Sequence, residues 1–475
     1  MSNSPANLFV EYFIEAGLWG ADPILAAPQP SEHFISAVED CLKLPDGKAA
    51  YKSLKECVES WGGSLVTNKI AVMRAVDLFL QRIHPRSVKD FSDNDEFEIN
   101  HWLYLLRGVR STKGYYLLVD SNFLIARGPL ARGSRDEFAS SAFCLSDMFS
   151  FLSVVDRVLY NDKTPIVADF KRVSLSVASG VGPLSIGEES VSFIPVAEAE
   201  NAFISVPREE GGRYYVNFKL QDEINVPELI DSVLKRIVFS DVVIIPELVV
   251  SELDAKSISI NLARDPGRVR ILLAGSGNTT ARSFNKPWNE SNILNGIGTP
   301  LIRQRKIWQA GLDKKRAVKL GLSVPERGLV MEDNCAGNEI SVLDVDGFGR
   351  CVILICQDFQ MNPLTDDLIR QYQPDWVFVP ILDTGVSAGR WVHQRAYQLS
   401  ALSPARFLIG SSTSHAAQLR YTNYACGMAV GPKDQLGPDA GRVCALAFSS
   451  GEPGVGTLKW RGRWGKTDIG LFTDD

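Results

Sequence analysis

No stretch of 18 consecutive apolar residues occurs in this 475-residue chain, so no segment reads as a bilayer-spanning helix. The opening MSNSPANLFVEYFIEAGLWG has no basic n-region, and Glu11 and Glu15 interrupt its apolar run. It does not read as a secretion signal. No C-x-x-C pair exists among the eight cysteines, Cys41, Cys57, Cys144, Cys335, Cys351, Cys356, Cys426 and Cys444. Their scatter argues against a zinc ribbon and against a disulfide framework, and points to a reducing, cytoplasmic setting. An excess of basic residues is also missing. The net charge of −6 announces no nucleic-acid surface, and the local cluster DKKRAVK (313–319) reads as a solvated helix face. There is no internal repeat and no long low-complexity tract.

What is present divides in two by texture. Residues 1–200 read as a mainly helical region. SEHFISAVEDCL starts at a capping Ser31 and puts Phe34, Val38, Cys41 and Leu42 on one face. TNKIAVMRAVDLFLQRIHP places Ile70, Met73, Val76, Leu80 and Ile83 at helical spacing and stops at Pro85. GYYLLVDSNFLIARG reads as strand, turn, strand. Between 175 and 213 the chain becomes rich in Gly, Ser and charge, and the domain boundary is expected there.

From 205 to 475 strands and helices alternate. RYYVNFKL is a strand and VPELIDSVLKRIVF a helix. DVVIIPEL is a buried strand, and RVRILLAGSGN is another that ends in a Gly turn. ESNILNGIGTPLIRQRKIW reads as a hairpin, and EISVLDVDGFGRCVILIC as a second one around Asp346 and Gly347. PDWVFVPIL and ARFLIGSSTS are strands on either side of the helix RWVHQRAYQLSALS. The strands carry continuous apolar runs rather than alternation, which predicts sheets covered on both faces. The hairpins make those sheets mixed.

Three of the buried runs close on a reactive side chain: Glu247 after VVIIP, Lys306 after LIRQR and Cys356 after VILI. Strand ends in α/β folds are where sites assemble, because the loops there open onto a cleft. Taken singly, a Glu or Lys at a strand end is an ordinary surface residue and a Cys in an apolar run is core filler. Side-chain alternation places Cys351 and Cys356 on opposite faces, so they are neither a ligand pair nor a disulfide, and Cys351 reads as core.

DVVIIPEL, RQRKIW and VILICQDFQ together resemble the three signature segments of the nitrilase (carbon–nitrogen hydrolase) superfamily. DWVFVPIL, the helix from Trp391 to Gln398 and RFLIGSS resemble the segments that follow them. The resemblance covers about 205–475. It implies a four-layer αββα sandwich with mixed β-sheets, preceded here by the helical region 1–200, whose role it leaves unassigned. It also implies hydrolysis of a non-peptide C–N bond (amide, nitrile, carbamoyl or ureido) through a Cys thioester. On that reading Glu247 is the general base, Lys306 supports the oxyanion and Cys356 is the nucleophile. The backbone N–H of Gln357 is the second oxyanion donor, and Asp358 orders the turn. Many members use a second Glu between the Lys and the Cys. The candidates are Glu326, Glu332 and Glu339, with Glu326 favoured. Asp383, Arg390 and Trp391 would line the substrate pocket.

The chain departs from the pattern in three ways. Lys306 and Cys356 are 50 residues apart, which suggests an insertion over GLDKKRAVKLGLSVPERG. Gln357 and Gln398 stand where the family commonly has other residues.

A small-molecule substrate and a homo-oligomer follow from the resemblance, and no cofactor or metal does. The N-terminal region, which the resemblance does not cover, reads by default as a helical module that positions the hydrolase or contacts a protein partner. A Cys–His hydrolase using His393 or His415 is the nearest chemical rival. Asp120, Asp156 and Asp169 raise a Mg²⁺ site, but they read better as a turn, a helix residue and a strand cap. The alternative from another class is a nitrilase-like scaffold or ligand sensor with little or no catalysis.

Overall fold

The computed structural model describes residues 3–81, 101–128, 145–173, 184, 187–283, 286–322, 324, 328–384, 386–421, 425–432, 443–446, 454–461 and 464–471. The chain divides into two compact units, Met1–Val158 and Leu159–Asp475.

In the first unit, the long helices are Pro5–Gly17, Glu32–Leu42, Gly47–Ser60, Leu65–Gln81 and His101–Lys113. Ser31 caps the second of these by accepting from Phe34 N at 3.2 Å. Phe34, Val38, Ile70, Met73, Val76 and Leu80 are buried in one core, as their spacing predicts. Ile83 and Pro85 lie outside the described residues. A small antiparallel sheet, Leu117–Val119, Asn122–Ala126 and Leu152–Asp156, completes the unit. Asp120 makes the first turn at φ +51°. Asp77 ties helix to sheet by accepting from the backbone N–H groups of Ser150, Phe151 and Leu152.

The second unit is built on two large sheets. One has seven strands in the order Pro300–Arg305, Lys286–Asn295, Val269–Ser283, Ser240–Ile244, Ser190–Phe193, Gly454–Trp460 and Trp464–Leu471. The other has eight: Val443–Leu446, Gly427–Val430, Arg406–Ser412, Trp376–Leu382, Gly349–Ile353, Glu339–Val345, Thr164–Val173 and Val158–Asn161. Both mix parallel and antiparallel pairs. A smaller four-stranded sheet runs Gly311–Leu312, Val330–Glu332, Arg213–Leu220 and Phe203–Glu210.

Alternation along the strands decides the layers. Val242, Ile244, Ile271 and Leu273 of the first sheet share a core with Leu343, Cys351, Ile353, Trp376 and Phe378 of the second. Their neighbours Val243, Ile245, Leu272 and Ala274 pack outward onto Ile230 and Val233 of helix Val226–Arg236 and Ile258 of helix Glu252–Arg264. Against the outer face of the second sheet lie helices Leu364–Tyr372 and Trp391–Leu399, with Leu368, Tyr372, Val392 and Ala396 buried. The result is helix, sheet, sheet, helix. Covering both faces of each sheet is why the strands read as continuous apolar runs.

Three local expectations change. The units divide at Val158/Leu159 rather than within 175–213. Strands on either side of the Gly/Ser-rich segment belong to the same unit: Thr164–Val173 pairs with Glu339–Val345, and Ser190–Phe193 with Ser240–Ile244. Composition marks a change of texture there, and long-range strand pairing decides which unit the flanking strands belong to. Asp156 ends a strand rather than sitting on a helix, and Asp169 lies inside a strand, paired to Lys171 at 2.6 Å. Among the described residues no group of His, Cys, Asp or Glu is placed to hold a metal ion, and no helix is long and apolar enough to cross a membrane.

Candidate active site

Glu247 stands three residues beyond strand Ser240–Ile244, in a loop that turns through Leu248 at φ +61°. The loop is pressed against strand Val269–Ser283. A Cβ on Gly275, itself at φ +60°, would sit 2.1 Å from Pro246 O, and one on Gly277 would sit 2.0 Å from Val250 O. Only glycine tolerates that approach. The GSGN segment is therefore not a terminal turn. The strand continues through it to Ser283, with a register shift between Leu273 and Ser276. The glycines seat the Glu247 loop.

Lys306 follows strand Pro300–Arg305 directly, and its N–H donates to Asn289 O at 2.8 Å. Its ammonium donates to Glu247 Oε1 at 2.8 Å and to Glu332 Oε2 at 2.6 Å. The carboxylate that meets Lys306 from between it and Cys356 is thus Glu332, at the end of strand Val330–Glu332. Glu326, the favoured candidate from sequence, lies outside the described residues. Asn289 Nδ2 donates to both carboxylates, at 3.0 Å to Glu247 and 3.3 Å to Glu332. The backbone N–H of Leu382 donates to Glu247 Oε2 at 2.8 Å, and that of Ala310 to Glu332 Oε2 at 3.0 Å. Each carboxylate oxygen of Glu247 and Glu332 is met by at least one donor, which buried charge requires.

The electrostatics follow from burial. Glu247 is raised above the usual carboxylate range, first by burial, with Glu332 adding to it and Lys306 opposing it. Burial alone would lower Lys306, but the two carboxylates overrule it and hold its pKa well above the usual lysine range. Cys356 is pushed well above the ordinary thiol, by burial first and then by Glu247, with Lys306 pulling the other way. The resting group is therefore a thiol beside a carboxylate of raised basicity.

Cys356 opens a 3₁₀ turn, Cys356–Gln360, at φ +49°. A non-glycine residue held there costs about 1–3 kcal/mol, and such strain collects at functional sites. Asp358 fixes the turn. Buried, it accepts from Ile307 N at 3.0 Å and Trp308 N at 2.8 Å, joining the Cys356 turn to the segment after Lys306. Gln357 is the next residue of the turn, and its side chain is 3.4 Å from Gln360. The alternation argument for the two cysteines fails in its detail. Regular strand ends at Ile353, and the left-handed residue redirects the chain. Cys356 packs at the edge of the same inter-sheet core that buries Cys351.

Glu247, Lys306, Glu332, Cys356 and Gln357 line one cavity of about 580 Å³. Asp383, Arg390 and Trp391 line it too. Asp383 accepts from Trp391 Nε1 at 2.5 Å and from Thr384 N at 2.7 Å, while Arg390 donates to Thr384 Oγ1 and lies 5.0 Å from the Tyr421 ring. The helix Lys314–Lys319, read from sequence as a solvated face, presents Lys315, Arg316 and Lys319 to the same cavity. His415 also borders it, edge-on to Phe218 at 5.1 Å, and burial pushes it down to about 4. His393 Nδ1 accepts from Gly389 N at 3.1 Å.

Sequence reasoning passed over Asn289 and ranked Glu332 below Glu326. Glu332 carried the signal used elsewhere, an acid closing an apolar strand. Asn289 sits inside a strand and carried none.

No protein-family model matches the chain, and no curated protein does. Solved structures of nitrilase-superfamily members do match part of it. Nit3 of Saccharomyces cerevisiae, a member of branch 10 of that superfamily, is 14% identical over 58% of this chain and 90% of its own, with a TM-score of 0.40. A mutant amidase of Nesterenkonia sp. AN1 is 13% identical over 59% of this chain and 94% of its own, at 0.38. The C. elegans NitFhit protein is 14% identical over 52% of this chain and 57% of its own, at 0.35. These are likenesses at low identity and low TM-score, and they assign no activity to this chain.

Proposed function

We propose that the second unit hydrolyses a non-peptide C–N bond in a small molecule, an amide, nitrile, carbamoyl or ureido group, through a covalent intermediate on Cys356. One observation carries this. Lys306 bridges Glu247 and Glu332 by hydrogen bonds of 2.8 and 2.6 Å in the wall of a cavity that Cys356 also lines.

The chemistry runs as follows for an amide. Glu247 takes the Cys356 proton as sulfur attacks the carbonyl carbon. The oxyanion is met by Lys306 and by the N–H of Gln357, a kind of contact typically worth about 3–4 kcal/mol of barrier. The C–N bond breaks, and the proton held by Glu247 passes to the leaving nitrogen. Glu247 then deprotonates a water, whose oxygen attacks the thioester carbon. The C–S bond breaks, acid is released, and the thiol is restored. A raised Glu247 suits this role, because a base works best near the operating pH. Glu332 has no bond-making part: it and Asn289 hold Lys306 and Glu247 in place. Asp358 holds the turn that carries Cys356. A cytoplasmic setting keeps the thiol reduced, and the homo-oligomer implied by the family resemblance remains part of this reading.

The test is a screen of amides, nitriles and ureido compounds, with Cys356→Ala as control. Turnover should appear in the unaltered protein and vanish in the variant while the fold is kept. Turnover retained by Cys356→Ala sinks the assignment. No turnover at all, with Cys356 inert to thiol reagents, supports a scaffold or ligand sensor instead.

A further inference from the structure

The charges that line the cavity are not balanced along its wall. Glu247 and Glu332, two carboxylates, share the one ammonium of Lys306. Asp383 is taken by Trp391 and Thr384, and Arg390 by Thr384 and the face of Tyr421. Asp313 caps helix Lys314–Lys319 by accepting from Arg316 N at 2.8 Å. That leaves Lys315, Arg316 and Lys319, three cationic side chains on one helix that all border the cavity. None of them forms an ion pair among the described residues. They stand in a chain whose net charge is −6, so this helix gives one part of the cavity wall the sign opposite to that of the whole.

We propose that the cavity selects a small C–N substrate carrying an anionic group, a carboxylate or a phosphate, which Lys315, Arg316 and Lys319 hold while the scissile carbon lies at Cys356. The proposal rests on the hydrolase reading above and adds the substrate's charge to it. The cavity's about 580 Å³ lies within the range of roughly 300–1,000 Å³ for small-molecule sites. It accommodates a metabolite-sized acid. An unpaired cation lowers the free energy of an anion at short range even near solvent, and a cleft of one sign raises the local concentration of such substrates. Arginine adds a planar fork that matches a carboxylate or phosphate edge. The helix follows strand Gly311–Leu312 in the segment between Lys306 and Cys356, so the residues that read charge are joined directly to those that do the chemistry.

Binding to Cys356→Ala protein tests this without needing turnover. The ligands are monoamides of short dicarboxylic acids, short ω-phosphonoalkanamides, and neutral primary amides of matched length, titrated by calorimetry. At least one anionic series should bind roughly ten-fold tighter than its neutral counterpart, with the preference shrinking as salt rises. Which series wins identifies the group. Adding Lys315→Gln, Arg316→Gln and Lys319→Gln should bring the two classes to parity. Lys314→Gln, on the same helix but not lining the cavity, should leave the preference in place. Equal affinity for neutral and anionic members, no binding of either, or a preference that survives the triple variant overturns the proposal. Turnover of the same compounds by unaltered protein separates the two claims. Anion preference without turnover of any member overturns the hydrolase reading alone, whereas turnover of neutral amides with no anion preference overturns the charge selection alone.

Discussion

Asp358 offers a sharp quantitative test, because its energetics depend on pH in a direction the structure fixes. Its carboxyl is buried at the turn that carries Cys356, and burial pushes it up from 3.8 to about 7 despite the N–H groups of Trp308 and Ile307. A carboxyl whose folded pKa lies above its unfolded one binds a proton more tightly when folded. Its contribution is therefore fully present below the unfolded value and is lost as pH rises through the folded one. Integrated between pH ~4.5 and ~8, that loss is about 3 kcal/mol. Asp358→Asn cannot titrate. Its Oδ1 keeps the acceptor for Ile307 N and Trp308 N, while its NH₂ takes the place of Oδ2, which accepts from Ile307 N at 3.2 Å, so the variant starts less stable by about 1–3 kcal/mol for the buried donor left unmet. Subtracting the variant's unfolding free energy from that of the unaltered protein cancels the other titrating groups, Glu247 included. The difference should shrink by about 3 kcal/mol from pH ~4.5 to ~8. Urea unfolding, followed by pulsed thiol labelling of the buried Cys351 at one common pH, reads the second unit by itself. Parallel pH curves for the two proteins would refute the reasoning, and would mean that the backbone donors outweigh burial.

Lys306→Met leaves Glu247 and Glu332 buried together without their cation, and should cost about 3–5 kcal/mol in urea unfolding of the second unit; a change below ~1 kcal/mol would contradict the bridged geometry. Gly277→Ala drives a Cβ to 2.0 Å from Val250 O and should both destabilise the unit and slow modification of Cys356 by iodoacetamide, through displacement of the Glu247 loop; an unchanged labelling rate counts against that coupling. In the first unit, Asp77→Asn weakens three backbone bonds and should lower stability by about 2–4 kcal/mol, read by hydrogen exchange in peptides covering 145–156. Exchange there that matches the unaltered protein would show that Asp77 does not hold helix to sheet.

Much of this molecule is legible in one dimension. Continuous apolar runs marked the strands of two covered sheets, because burial on both faces leaves no room for alternation. Strand ends marked Glu247, Lys306 and Cys356, because an apolar run that stops at a polar residue is a local fact. The hairpins followed from Gly and Asp at the turns, and Ser31 from its capping chemistry.

Other features are set by residues far apart in the chain. Glu332 and Asn289 reach Lys306 only through strand pairing; Glu332 closes an apolar run as Glu247 does, but nothing local says which acid meets the lysine. Gly275 and Gly277 looked like a turn, whereas the cause of their presence is a loop some 25 to 30 residues earlier pressing on the strand. The boundary at Val158/Leu159 is set by which strands find partners, and composition does not record that. The sequence by itself determined the elements, their order and which of them close on Glu247, Lys306 and Cys356. Tertiary structure decided which carboxylate meets Lys306, which way Cys356 turns and that the helix Lys314–Lys319 faces a cavity. Periodicity and capping act within a few residues, while close approach and charge pairing act across whatever length of chain the sheets bring together.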